Sequence, residues 1–129
     1  MIALRMTNLH PYQYIFFNHI ISHSEENIRN SMEMDYWGIS YYEALKNILQ
    51  SDTSQQIKIK FANFPGEANV LMLDEKDRKR IQISYSEDWK YFISNFRQHP
   101  ADYTNGKMIN HMHRLNSTIN ATFINENSN

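Results

Sequence analysis

The sequence predicts a small single-domain α/β sandwich, built on a mixed β-sheet with one βαβ unit and a C-terminal hairpin. Three observations predict it. Residues 40–51 repeat apolar side chains at helical spacing. Ile57-Lys58-Ile59-Lys60-Phe61 and Ile81-Gln82-Ile83-Ser84-Tyr85 alternate apolar with polar positions, the period of a strand with one buried face. The chain of 129 residues suits one hydrophobic core rather than two.

Residues 1–39 read as an aromatic-rich wrapping segment joined to the core, with neither clean helical nor clean strand periodicity. His10-Pro11 biases the residue before proline toward extended backbone, and Pro11 is placed to open a short helix carrying Tyr12, Tyr14, Ile15 and Phe16. The polar stretch His23 to Asn30 reads as a loop or short surface helix. Ser40, with Glu43 three residues on, has the form of a capping box opening an amphipathic helix over residues 40–51. After the strand at 57–61, Pro65-Gly66 breaks the pattern and Glu67 to Leu73 reads as a short helix over the sheet. A second strand follows at 81–85, so residues 57–85 form strand, helix, strand, expected as a right-handed crossover between parallel strands. Tyr91 to Phe96 has the continuous apolar start of a central strand. Residues 107–115 and 118–124 pair as a hairpin around Asn116-Ser117, closing an α/β core at 40–124; residues 125–129 are expected as a disordered tail.

Composition excludes several function classes. Thirteen basic side chains nearly cancel fourteen acidic ones, so no polyanion such as nucleic acid is expected as partner. Without cysteine there is no disulfide framework, thiolate metal site or cysteine nucleophile. Three glycines leave little room for a phosphate-cradling loop, and there is neither a GxSxG elbow nor a carboxylate pair whose spacing argues for acid and base roles. No apolar run approaches the roughly 20 residues that cross a bilayer. His111-Met112-His113 puts two imidazoles on one face of a strand, but a zinc site needs three or four ligands, so exposed strand positions are expected and neither a metal nor a cofactor is assigned.

Two stretches hold the candidate binding residues. Asp35, Tyr36 and Trp37 set a carboxyl group beside two amphipathic rings, a combination that binds a sugar by stacking and hydrogen bonding. The structural alternative is a turn whose rings plug the core and whose Asp35 caps neighbouring amides, with Gly38 supplying a backbone conformation that a Cβ would resist. Arg97, His99 and Asp102 are the second group. Arg97 and Asp102 are placed to pair across a turn at His99-Pro100; as a site they belong at the carboxyl end of the strand, where open α/β sheets bind ligands. Two sequons, Asn116-Ser117-Thr118 and Asn120-Ala121-Thr122, carry little weight in so asparagine-rich a chain.

Three ordered stretches, LHPYQYIFFN at 9–18, EMDYWGISYYEALKNIL at 33–49 and DWKYFISNFRQHPADY at 88–103, carry a resemblance. They resemble the C-terminal extramembrane portions of bacterial polytopic membrane glycosyltransferases of the dolichyl-phosphate-mannose protein mannosyltransferase type, the C-type group that uses lipid-linked sugar donors. His19-Ile20-Ile21-Ser22 departs from that pattern, standing where a glycine pair is expected. The resemblance implies a domain following the last transmembrane helix on the extracytoplasmic, periplasmic face of the inner membrane, soluble when isolated. Its implied partners are the transmembrane portion of the same parent protein and a glycan or lipid-linked sugar, with the catalytic residues elsewhere in that parent.

Three function classes follow. The first is an accessory, non-catalytic domain of such a transferase. The second is a stand-alone carbohydrate-binding or protein-interaction module, with Tyr36, Trp37, Trp89 and Tyr91 as stacking platforms. The third is a small enzyme using Asp35 or Asp102 with His99 as acid and base, a role for which no spacing here supplies the geometry.

Overall fold

A computed structural model describes residues 7–13, 35–114 and 117–127. Helix α1 (Ile39–Ser51) buries Tyr41, Ala44, Leu45, Ile48 and Leu49, the face its spacing predicts. Each of its leucine and isoleucine side chains contributes about 1.5–3 kcal/mol on burial. The capping box does not form. Gly38 is the N-cap, and Asp35, four residues before Ile39, supplies the acceptor oxygens that the Ser40 hydroxyl and Glu43 carboxyl were expected to provide. At the other end of α1, the Arg80 guanidinium donates to the carbonyls of Leu49, Asp52 and Ser54, placing a cation where the helix leaves its last acceptors open.

Strand β1 (Ile57–Phe61) leads into α2 (Phe64–Val70), then α3 (Glu75–Arg78) and β2 (Ile81–Ile83). Helix α2 starts three residues before the expected Glu67, because proline suits a first helical turn, where its missing N–H has no partner to lose. Gly66 is required there: a Cβ would come within 2.4 Å of the Phe61 ring. Strands β3 (Tyr91–Ser94), β4 (Lys107–Arg114) and β5 (Ser117–Ile124) complete the fold. Strand β2 stops at Ile83 and β3 at Ser94, both short of expectation; the chain bends over residues 85–87 and turns at Arg97 and Gln98.

The five strands form one mixed sheet in the order β2-β1-β3-β5-β4. β1 is parallel to β2 and β3, whereas β5 is antiparallel to β3 and β4. β3 is central and all four of its residues are buried, matching its unbroken apolar start. Ile57, Ile59, Tyr91 and Ile93 face α1 together with Val70 and Leu73. On the other face Phe92, Ala121 and Phe123 pack with Trp89 and Phe96, partly covered by Tyr103. Lys58 and Lys60 share that second face by strand alternation and pair with Asp88 and Glu87. Asn125 extends the ladder, its N–H on the Lys90 carbonyl at 3.0 Å and its side chain on the Trp89 carbonyl, so the chain is held one residue into the expected tail.

From the N-terminal segment, Leu9 and Tyr12 are buried. The Tyr12 hydroxyl donates to Glu43 at 2.9 Å, and the Arg114 guanidinium lies over its ring. Burial, reinforced by Glu43, pushes the Tyr12 hydroxyl pKa well up. Pro11 sits in a turn closed by Tyr12 N–H on the Leu9 carbonyl, not at a helix start. Tyr14, Phe16, Phe17 and the stretch 23–30 lie outside the described residues.

Asp52, just past α1, is buried and paired with Lys90 at 2.7 Å. Burial alone would raise its carboxyl, but hydrogen bonds from Lys90 and Ser54 outweigh that and hold it well below the usual range. A carboxyl depressed in the folded state stabilises the fold above its unfolded pKa, and that stability is lost as pH falls through the folded value. The thermal midpoint should therefore drop from about pH 5 downward. In Asp52→Asn it should be lower at neutral pH and fall less steeply with acid; an acid limb of unchanged slope would remove Asp52 from this role.

Candidate functional site

The carboxyl ends of β1 and β3 meet the start of α1, and four asparagines meet there too. Asp35 is fully buried. One of its carboxyl oxygens accepts from Ile39 N–H at 3.0 Å; the other accepts from Ser40 N–H at 3.1 Å and the Ser40 hydroxyl at 2.5 Å. Ser40 Oγ in turn accepts from Asn120 on β5 at 2.9 Å. Asn95, the first residue after β3, donates its side-chain amide to the Asp35 carbonyl at 2.8 Å. Asn63 after β1 donates to Asn95 Oδ1, and the Tyr41 hydroxyl lies within 3.2 Å of Asn63 Oδ1. Burial pushes the Tyr41 hydroxyl pKa well up. Asn69 on α2 donates to the carbonyls of Gly38 and Pro65.

This buried frame fixes the loop at 35–38 and leaves its two rings outside. Tyr36 is 48% exposed and Trp37 74%, so neither plugs the core as the turn reading required. Their rings meet edge to face, with centroids 5.0 Å apart. The Arg97 guanidinium lies 4.3 Å from the Tyr36 ring centroid, a cation–π contact, and its Nη1 reaches the Tyr36 carbonyl. Arg97 is aimed by a tight turn: His99 N–H bonds to the Phe96 carbonyl, and Asn95 Oδ1 accepts from Arg97 N–H. The turn therefore spans Phe96 to His99, not His99-Pro100. Phe96 and Gln98 both have left-handed backbone, with φ of 58° and 64°. Such conformations cost side-chain-bearing residues about 1–3 kcal/mol and persist only where surrounding contacts enforce them.

The expected site residues thus divide. Asp35, Tyr36, Trp37 and Arg97 come together at the carboxyl ends of the parallel strands, the position open α/β sheets use for ligands. His99 instead stacks on Tyr103 with centroids 4.3 Å apart, and its Nδ1 bonds to the Ala101 carbonyl, on the side of the second-face aromatic cluster. Asp102 is exposed in the connection to β4. Trp89 and Tyr91, considered as stacking platforms, are 3% and 7% exposed and belong to the core. Asn120 of the second sequon is buried on Ser40, so it serves the frame. Asn63, Asn95 and Asn69 escaped the sequence reading. Their signal was position: polar amides just past two strands and inside a short helix, where they can satisfy turning backbone.

A scan against protein-family models finds no match, and neither any curated protein nor any solved structure is significantly similar to the chain.

Gly38 has φ 68°, and a Cβ there would fall 2.4 Å from Pro65 Cβ. Gly38→Ala should cost at least about 2 kcal/mol, from left-handed strain plus the clash. Urea unfolding measures it; a loss under 0.5 kcal/mol, roughly that of a neutral surface change, would show that the loop is not held against α2.

Proposed function

We propose that this chain is an accessory, non-catalytic domain serving a membrane-bound glycosyltransferase that uses a lipid-linked sugar, with Tyr36, Trp37 and Arg97 as its contact surface for glycan. The observation that carries the recognition role is Trp37, 74% exposed on a loop held rigid from beneath. An indole carried on a fixed loop binds with little backbone ordering cost, and sugar rings stack their C–H faces on such platforms. A proton-transfer role for Asp35 has less support, since both carboxyl oxygens already accept hydrogen bonds from Ile39 and Ser40.

The transferase setting rests on the resemblance of three sequence stretches. What supports it is that residues of these stretches are in contact: Asn95 and Arg97 of the third meet Asp35 and Tyr36 of the second, and Tyr12 of the first bonds to Glu43 of the second. The domain would then act through the membrane portion of its parent, at the extracytoplasmic face. Among the described residues, no helix is long and apolar enough to cross a membrane. A stand-alone carbohydrate-binding module is the second reading, favoured by the same platform.

Two measurements test the proposal. Of the two tryptophans only Trp37 is exposed, so a glycan panel titrated to about 1 mM, the level at which binding contributes about 4 kcal/mol, should change fluorescence and lose that response in Trp37→Ala. In membranes carrying the parent, the same substitution should lower transfer without lowering protein level. Glycan binding with unaltered transfer favours the stand-alone module; silence in both assays overturns the contact surface altogether.

A further inference from the structure

We propose that His111 and His113 on β4 chelate a divalent transition-metal ion of the kind imidazole favours, zinc, nickel or copper. Both residues are exposed, and their rings stand 4.7 Å apart between centroids at 90°. Two residues apart on a strand, they project from the same face, with His111 in register with Ala121 and His113 with Thr118. Imidazole nitrogens lie about 2.0–2.1 Å from a bound zinc. Two rings this close can share one ion, with water completing the coordination.

A second observation lifts the pair above two surface histidines. The Thr118 hydroxyl on β5 lies 3.2 Å from His113 Nε2. Metal-binding histidines characteristically hydrogen-bond their second ring nitrogen to an oxygen that fixes tautomer and orientation. In the tautomer whose Nε2–H donates to the Thr118 hydroxyl, the His113 Nδ1 lone pair is the one left to face an ion. The bulge between Met112 and His113 creates this arrangement, because it sets His113 directly across from Thr118. The adjacent cation does not oppose binding: Arg114 reaches toward Glu43 and the Tyr12 ring.

The test is calorimetric titration of the whole chain with Zn²⁺ and Ni²⁺, alongside NMR of the histidine rings. Expected is one ion per chain, with the His111 and His113 ring signals moving together. His111→Ala and His113→Ala should each weaken binding at least about tenfold, or about 1.4 kcal/mol. Thr118→Val should weaken it while leaving both ring signals responsive, and His99→Ala should leave it unchanged. Since both imidazoles are exposed, equal metal-free melting midpoints will verify that the variants are folded. No binding by about 1 mM ion, or affinity unchanged in both histidine variants, overturns the site.

Discussion

The carboxyl group of Asp35 is the constraint on which the functional end of this molecule depends. A fully buried carboxyl without partners would cost several kcal/mol, so its position is tolerable only where donors converge on it. Ile39 and Ser40 supply them, and supplying them starts α1 at that point. Ser40 passes the connection to Asn120 in the sheet, and the Asp35 carbonyl passes it to Asn95 beyond β3. One acidic residue thereby locks helix, sheet and loop together. Hydrogen-bonded polar groups of this kind specify a geometry in a way that apolar packing alone does not.

The sheet explains why these partners meet. Because β1 and β3 run parallel, both end on the same edge, and the asparagine following each arrives beside the other. The antiparallel β5 returns through that neighbourhood and delivers Asn120. Apolar packing on the two faces is divided between aliphatic side chains under α1 and an aromatic cluster opposite. The two clusters hold the strands, while the polar frame at their ends decides where the loops go.

Rigidity beneath and exposure above is the logic of the Tyr36–Trp37–Arg97 surface. The loop at 35–38 is fixed by backbone and side-chain hydrogen bonds, and the Arg97 turn by two left-handed residues and Asn95. The large side chains carried on these supports are therefore presented without the ordering cost that a flexible loop incurs on binding. The histidine pair on β4 follows the same rule at another place: a bulge and a cross-strand threonine orient groups whose chemistry is turned outward.

By itself the sequence determined those elements whose physics is local. Apolar spacing placed α1, alternation placed β1 and β2, and the unbroken run at Tyr91 marked the central strand, because burial periodicity is written in consecutive residues. Gly38 could be read as a special backbone position for the same reason. Tertiary structure alone decided what depends on distant partners. Ser40 and Glu43 have the spacing of a cap, yet Asp35 takes the amides and Glu43 turns to Tyr12 and Arg114. His99 and Asp102 sit a few residues from Arg97, yet the left-handed turn at Gln98 parts His99 from it. Trp37 and Trp89 are the same residue type in similar company, and only the packing of the sheet buries one and leaves the other in solvent. Spacing along the chain fixes which groups share a face; it does not fix which long-range donor wins a buried oxygen, since that competition is settled by strand order and crossing loops.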